Sequence, residues 1–425
     1  MTQDLSRTNK AADPKIQLPQ ERIRVESDTW RTLKAVPMSF RLALQILSRL
    51  EIGRLTILLP DGRALEAGGR QPGPEAVLIV RDYRFAPRAL KGGNCAFAES
   101  YIDGDWDSPD PSTLIEVLAL NTLYLQEVMQ SKGFYRLLQR VVHLFNRNTK
   151  AGSRRNIHAH YDLGNEFYSL WLDPTMTYSS ARFEGAGQDL SSAQLNKYRS
   201  LAKSMNLSDN HSVLEIGCGW GGFAEFAASE VGCKVTGITI SKEQLDFAKE
   251  RIFKKGLNEK VELRFQDYRD VNDKFDRIAS IEMFEAVGEE YWPTFFRKVR
   301  EALTDSGRAG LQIITIRDEM FEQYRRGTDF IQRYIFPGGM LPSPGVLRDQ
   351  ITKAGLMWSE SVEFGRDYAQ TLGAWRDKFI SAWPQIEKLG FDQRFQRLWK
   401  CYLSYCEGGF RAGSIDVTQV SLARQ

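Results

Sequence analysis

From residue 213 the chain alternates short apolar runs with amphipathic helical stretches, and this alternation constrains the fold more than any other feature. "SVLEIGCG" reads as a buried strand entering a glycine turn, and "GGFAEFAASEV" as the helix that leaves it. "CKVTGITI" and "SKEQLDFAKERIFKKG" repeat the pair, the helix closing on a glycine. "KVELRFQDY", "DRIASIEMF" and "GRAGLQIITI" supply three more strands, with helices between the later ones. A strand whose successor is reached through a helix must run parallel to it, so the expected architecture is a doubly wound, mostly parallel α/β sheet. "MWSESVEF" and "GSIDVTQVSLAR" are two further strand-like runs, separated by a long helical stretch.

The rest of the chain divides by composition. Residues 1–25 are polar and proline-punctuated and read as a flexible tail. From Met38 to Leu50 apolar residues recur largely at helical spacing, and Gly53 offers a stop. "RLTILLP" and "AVLIVRDY" read as strands, and a helical pattern runs from Pro111 to about Asn148. Residues 26–150 are therefore expected to form a smaller α+β domain without a catalytic signature of its own, ahead of a catalytic domain over 151–425. Residues 128–161 hold no Asp or Glu but seven Lys or Arg, Lys132 to Arg155, the first of them interleaved with Phe134, Tyr135, Leu137 and Leu138. Such a segment is either a packed helix with a solvated basic face or a contact to an anionic membrane, where each cation contributes about 1 kcal/mol.

Composition excludes several classes. Of 425 residues 42% are hydrophobic and 26% charged, which is globular, and 57 Lys+Arg against 54 Asp+Glu is too even to indicate nucleic acid. Five scattered cysteines without C-x-x-C argue against a disulfide framework or a zinc site and fit reduced thiols. No uncharged apolar stretch is long enough to span a membrane, and the first 30 residues lack a signal-peptide core. A cytoplasmic protein is expected, with no metal.

In "VLEIGCGWGG", Gly217, Gly219 and Gly221 alternate directly after a strand, and Glu215 stands two residues before the first. Glycines let the backbone turn sharply and approach a ligand closely at the carboxyl edge of the sheet. The spacing is not that of a dinucleotide loop. The E-x-G-x-G-x-G form resembles the first motif of class I S-adenosylmethionine (SAM) methyltransferases, whose final strands form an antiparallel hairpin that the last two runs suit. Thr239 and Gln244 stand where an acid for the ribose is usual, and Gln266 and Asp267 where an adenine-contacting pair is expected.

"HYDLGNEFYSLWLDPTMTYSSARF" (160–183), "LEIGCGWGGF" (214–223), "GITISKEQ" (237–244), "IEMFEAVG" (281–288), "YIFPGGMLPS" (334–343), "DYAQTLGAW" (367–375) and "CEGGFRAGSIDVTQV" (406–420) together resemble the cyclopropane fatty acid synthases. The resemblance implies a class I fold with a seven-stranded sheet and an antiparallel last strand. It also implies transfer of a methyl(ene) group from SAM to the cis double bond of a phospholipid acyl chain, through a carbocation. Tyr178 and Ser179 match the family's cofactor-side pair. Glu285 and Tyr368 match residues that hold a bicarbonate base, with Ser180 where the family has a cysteine. Ala286 stands where a histidine follows "FE", and Ile314 stands in place of the histidine of the family's "LHTI" strand, an apolar replacement that removes a donor beside the anion. No histidine follows His211, so no later strand supplies a histidine base. An impaired ring closure would leave a methyl-branched or methylene chain, and loss of catalysis would leave a SAM- or lipid-binding protein. Tyr334 is a weaker candidate, in a segment (317–343) expected to cover the pocket. Arg325 and Arg326 suit either a phosphate headgroup or surface ion pairs, and His160 either catalysis or helix capping. The partners implied are unsaturated acyl chains and an anionic membrane surface at the inner face of the membrane, with a homodimer left open.

Overall fold

The computed structural model describes residues 18–125, apart from 27 and 34, and 163–424; the basic stretch 128–161, and His160 within it, lie outside the described residues. The chain divides into two compact units, 1–147 and 148–425.

The first unit is built on a five-stranded sheet, β1 (Ile23–Arg24), β2 (Ile52–Leu58), β3 (Ala64–Gly68), β4 (Gln71–Val80) and β5 (Trp106–Asp107), in the order β1-β3-β2-β4-β5. Besides a single turn at Thr29–Thr32, the described residues form the helices α1 (Met38–Leu47), α2 (Phe85–Ile102) and α3 (Pro111–Leu120). The expected helix at Met38 and the strands at 54–60 and 76–83 are present. Missing from the expectation are β3, β5, α2 and β1, the last of which pairs in parallel with β3 at the end of the stretch read as a flexible tail. "ALEAG" is too short and alanine-rich to show β periodicity, and "LKGGN" puts two helix-weakening glycines inside α2, where Gly93 breaks the helical backbone. Asp110 caps α3 by accepting from the backbone of Ser112 and Thr113, and Pro111 occupies the first turn.

The second unit is a seven-stranded sheet: β6 (Ser212–Ile216), β7 (Lys234–Thr239), β8 (Val261–Phe265), β9 (Phe275–Ile281), β10 (Leu303–Ile316), β11 (Leu356–Glu363) and β12 (Ile415–Arg424). The order is β11-β12-β10-β9-β6-β7-β8. All neighbouring pairs are parallel except those involving β12, which runs antiparallel to both β10 and β11. The helices in chain order are α4 (Gly164–Ser169), α5 (Leu190–Ser204), α6 (Gly222–Phe226), α7 (Lys242–Lys254), α8 (Trp292–Ala302), α9 (Asp318–Arg326), α10 (Phe330–Tyr334), α11 (Pro344–Lys353), α12 (Gly365–Lys388) and α13 (Gln393–Arg411).

Both faces of the sheet are covered, which is why its strands read as continuous apolar runs rather than alternating ones. One core joins Leu214, Ile278, Leu311 and Val420 to Phe284, Trp292, Phe295, Phe296 and Leu347. The other joins Val213, Val235 and Ala279 to Tyr198, Leu201, Phe223 and Ala248. The sheet order reverses between β6 and β9, and in such sheets ligands bind in the crevice at that reversal, outside the carboxyl ends of the strands.

Candidate active site

The site is built at the carboxyl edge of β6 to β10, with side chains from α5, α12 and the stretch before α5. The glycine turn follows β6. Gly217 and Gly221 hold φ of 80° and 81°, a left-handed backbone that costs a side-chain-bearing residue roughly 1 kcal/mol or more. The two amides of Gly217 and Cys218 both donate to the Ile238 carbonyl at 3.0 Å, pinning the turn to β7. A Cβ on Gly217 would stand 2.7 Å from Met283 Cγ, whereas one on Gly219 would meet no protein atom within 4 Å. The turn thus packs on its inner side and is open at Gly219, the arrangement a backbone needs to lie against a ligand.

Glu215 lies beneath the turn. Its pKa is pushed up to about 8 by burial, against the attraction of Arg251 and Lys197 and a hydrogen bond from the Ala224 backbone. Its Oε2 has no hydrogen-bond partner among the described residues. At the end of β7, Thr239 donates to Gln244 Oε1 at 3.4 Å and accepts from the Ser241 amide at 3.1 Å, so the two predicted ribose contacts sit together. After β8, Gln266 donates to the Asp270 carbonyl at 3.0 Å. Asp267 is forked by Arg269, Nε at 2.9 Å and Nη2 at 2.7 Å, which lowers its pKa. The expected adenine pair therefore already serves a local turn. Ile240 and Phe265, side chains the sequence reading passed over, stand 70% and 63% exposed at the carboxyl ends of the adjacent strands β7 and β8.

The chemistry-bearing cluster lies next to the turn, where Ser280 of β9 donates to the Ile216 carbonyl at 3.0 Å. Its hub is Glu282, which the sequence reading did not name. Glu282 Oε1 accepts from the Ser180 amide and from Gln312 Nε2, both at 2.8 Å, and Oε2 accepts from the Tyr368 hydroxyl at 2.6 Å. The residue holds a φ of 50°, a conformation side chains rarely adopt, and this aims its carboxylate into the cluster. Burial raises its pKa, while the Tyr368, Ser180 and Gln312 hydrogen bonds and the nearby Lys197 favour the charged form. Lys197, fully buried on α5, donates to Ser179 Oγ at 2.6 Å. Burial brings its pKa down to about 7 against the pull of Glu282, Asp173 and Glu215. Glu285 is half-buried, with its Oε2 shut off from solvent. Its Oε1 accepts from the Ile314 amide at 2.6 Å, Oε2 has no partner among the described residues, and burial with the neighbouring Glu282 charge raises its pKa to about 8.

Two expectations change in detail. Ile314 was read as an apolar replacement that strips a donor from the site. In the fold Ile314 contributes its backbone amide, and the polar side chain that β10 brings to the cluster is Gln312, two residues earlier on the same face of the strand. Tyr334 packs against Phe330 and beneath Arg333, whereas Phe336 is the ring that reaches the cluster's aromatic wall, 6.5 Å from Tyr178 and 6.1 Å from Tyr402. That wall is continuous: Tyr178 meets Trp375 at 5.2 Å and shares a 2.7 Å hydroxyl hydrogen bond with Tyr402, and Tyr368 meets Trp375 at 6.1 Å. The segment 317–343 is tied to Glu285, whose carbonyl accepts from the Met340 amide at 2.8 Å. Arg325 and Arg326, weighed as headgroup contacts, form ion pairs with Glu289 and Glu322 at 2.8 and 3.2 Å.

The residues suit SAM: an open glycine turn, a polar pair at the next strand end and apolar side chains beyond. They do not suit a bicarbonate ion. Of the residues expected to hold it, Tyr368 and the Ser180 amide are already engaged by Glu282, the Ser180 hydroxyl donates to the Ala181 carbonyl at 2.9 Å, and Glu285 Oε1 accepts from the Ile314 amide. The Glu282 carboxylate, whose hydrogen bonds favour its charged form, also disfavours a further anion beside it.

Fold, turn and strand-edge cluster define a class I SAM-dependent methyltransferase. Residues 148–420 match the family model described as mycolic acid cyclopropane synthetase, and the chain belongs to that family. It is 34% identical over 417 residues to the tuberculostearic acid methyltransferase UfaA1 of Mycobacterium tuberculosis, covering 94% of this chain and 96% of that protein. It is also 34% identical over 404 residues to the cyclopropane-fatty-acyl-phospholipid synthase of Escherichia coli K12, covering 95% and 96%. Among solved structures it resembles the M. tuberculosis cyclopropane synthase MmaA2, with a TM-score of 0.60 and 30% identity over 64% of this chain and 98% of that one. The mycolic acid cyclopropane synthase CmaA1, complexed with SAH and CTAB, gives 0.60 and 30% over 63% and 97%.

Proposed function

We propose that the chain transfers the SAM methyl group to a cis double bond in an unsaturated phospholipid acyl chain and closes it to a cyclopropane. The observation that carries this reading is a half-buried carboxylate cluster set against an aromatic wall beside the glycine turn. SAM supplies an electrophilic methyl group, and an alkene needs no deprotonation before it attacks. The protein's task is therefore alignment, exclusion of water and stabilisation of the cation that attack leaves on the chain. The faces of Tyr178, Trp375 and Phe336 suit that cation, at about 2 kcal/mol each where water is excluded. Gly217, Gly219 and Gly221 with Thr239 and Gln244 would hold the cofactor, and Ser179 would be fixed beside it by Lys197.

Residues 26–150 are assigned to lipid engagement and 151–425 to catalysis, with 317–343 as a cover. The enzyme would act from the inner face of the membrane; among the described residues no helix is long and apolar enough to cross one. A second reading, a methyl-branched or methylene product, is favoured by the likeness to a relative named a tuberculostearic acid methyltransferase. Expression in a host without such activity tests both. Cyclopropane protons in the NMR spectrum of the extracted fatty acids support the first reading, a methyl doublet or exocyclic alkene the second, and unaltered lipids neither.

A further inference from the structure

A carbocation formed by methyl transfer must lose a proton before the ring can close, and the acceptor has to stand in the dry part of the site. Glu282 is the side chain placed for it. It sits at the end of β9 against the glycine turn, and donors from three other segments converge on it: the Ser180 amide, Gln312 on β10 and Tyr368 on α12. Lys197 on α5 is the buried cation opposite, and Glu285 is the neighbouring acid. A carboxylate has about four lone-pair positions, and three donors leave one. Nothing in the fold requires a charge at this point; the φ of 50° makes Glu282 costly to keep, and a glycine would adopt that backbone freely.

We propose that Glu282 is the proton acceptor of the reaction and fills the seat that an external bicarbonate would otherwise take, so that turnover needs no added anion. The step rests on the function proposed above. One C–H bond of the transferred methyl breaks, its proton passes to the Glu282 carboxylate, and the bonding pair closes the new C–C bond onto the cationic carbon. The positive charge delivered with the methyl thus departs as that proton. Tyr368, Gln312 and the Ser180 amide hold the carboxylate in place, and Lys197 keeps it ionised in surroundings that favour the neutral acid.

The test uses the full chain, SAM and vesicles of a monounsaturated phospholipid in carbon-dioxide-free buffer. Wild-type turnover should change less than about twofold when bicarbonate is added. Glu282→Gln should lose roughly 100-fold or more in kcat, the range for removing a positioned base, with SAM affinity retained. Glu282→Gly relieves the backbone and leaves the three donors unoccupied, so bicarbonate or formate should restore its turnover at least about tenfold. A wild-type enzyme that depends on bicarbonate, a Glu282→Gln enzyme that keeps its rate, or a Glu282→Gly enzyme that no small carboxylate rescues would overturn the assignment. A wild-type enzyme that methylates no acyl chain overturns the proposed function itself, a distinct result.

Discussion

Tyr368, four residues into α12, donates its hydroxyl to Glu282 Oε2 across 2.6 Å, joining positions 86 residues apart where Tyr368 is buried and Glu282 half-buried. The bond favours the charged carboxylate, whereas burial opposes it. Tyr368→Phe removes the donor and keeps the ring, so the Glu282 pKa rises and less of the enzyme is ionised at neutral pH. The expected result is a fall in kcat of about 10–100-fold, with the acid limb of the rate profile moved to higher pH and part of the loss recovered in alkali. An unmoved limb would show that the bond is only structural.

The glycine turn separates packing from binding. Gly217→Ala drives a Cβ to 2.7 Å from Met283 Cγ in a left-handed conformation, and a stability loss of about 1–3 kcal/mol is expected in denaturant titration. Gly219→Ala meets no neighbour, so thermal unfolding should move less, while SAM affinity measured by calorimetry falls at least about tenfold. Equal effects of the two on stability would contradict the open side of the turn.

Glu285, with its pKa at about 8, is a pH-dependent load on the fold. The folded chain holds its proton more tightly than the unfolded chain, whose glutamate titrates near 4.3. The contribution is therefore fully present below that value and is lost as pH rises through about 8. Glu285→Gln removes the term, so its stability relative to wild type should climb between pH 5 and 9, by on the order of 1–3 kcal/mol. Parallel unfolding curves for the two proteins across that range would refute it.

Phe336 is half-buried and adds its ring to the aromatic wall beside Tyr178 and Tyr402. Phe336→Ala should lower kcat on the lipid by roughly tenfold, as expected for losing about 1–2 kcal/mol of cation stabilisation, while the melting temperature changes little. A change in KM alone would assign the ring to substrate binding.

The resemblance read from the motifs located the strand-end region but put weight on Glu285 and Ile314, where the fold puts the hub on Glu282 and Gln312. Both pairs lie in the same quoted motifs, and nothing local distinguishes them. "IEMFE" offers two acids three residues apart, and only the backbone turn after β9 decides which one meets Tyr368. Lys197 was hidden more thoroughly, as one lysine among several polar residues on a helix that reads as half-exposed. Its burial is visible only once α5 is laid against β10 and β12, where Gln419 donates to its carbonyl at 3.1 Å.

By itself the amino-acid order determined the β/α alternation, the glycine turn and the antiparallel ending, because strand periodicity, helix periodicity and left-handed glycines are properties of a few adjacent residues. Which carboxylate is held by donors, which lysine is stripped of water and which ring faces the site was decided only by tertiary structure. Those properties depend on groups brought together from 18 to 224 positions apart, and on the loss of solvent that follows when they meet.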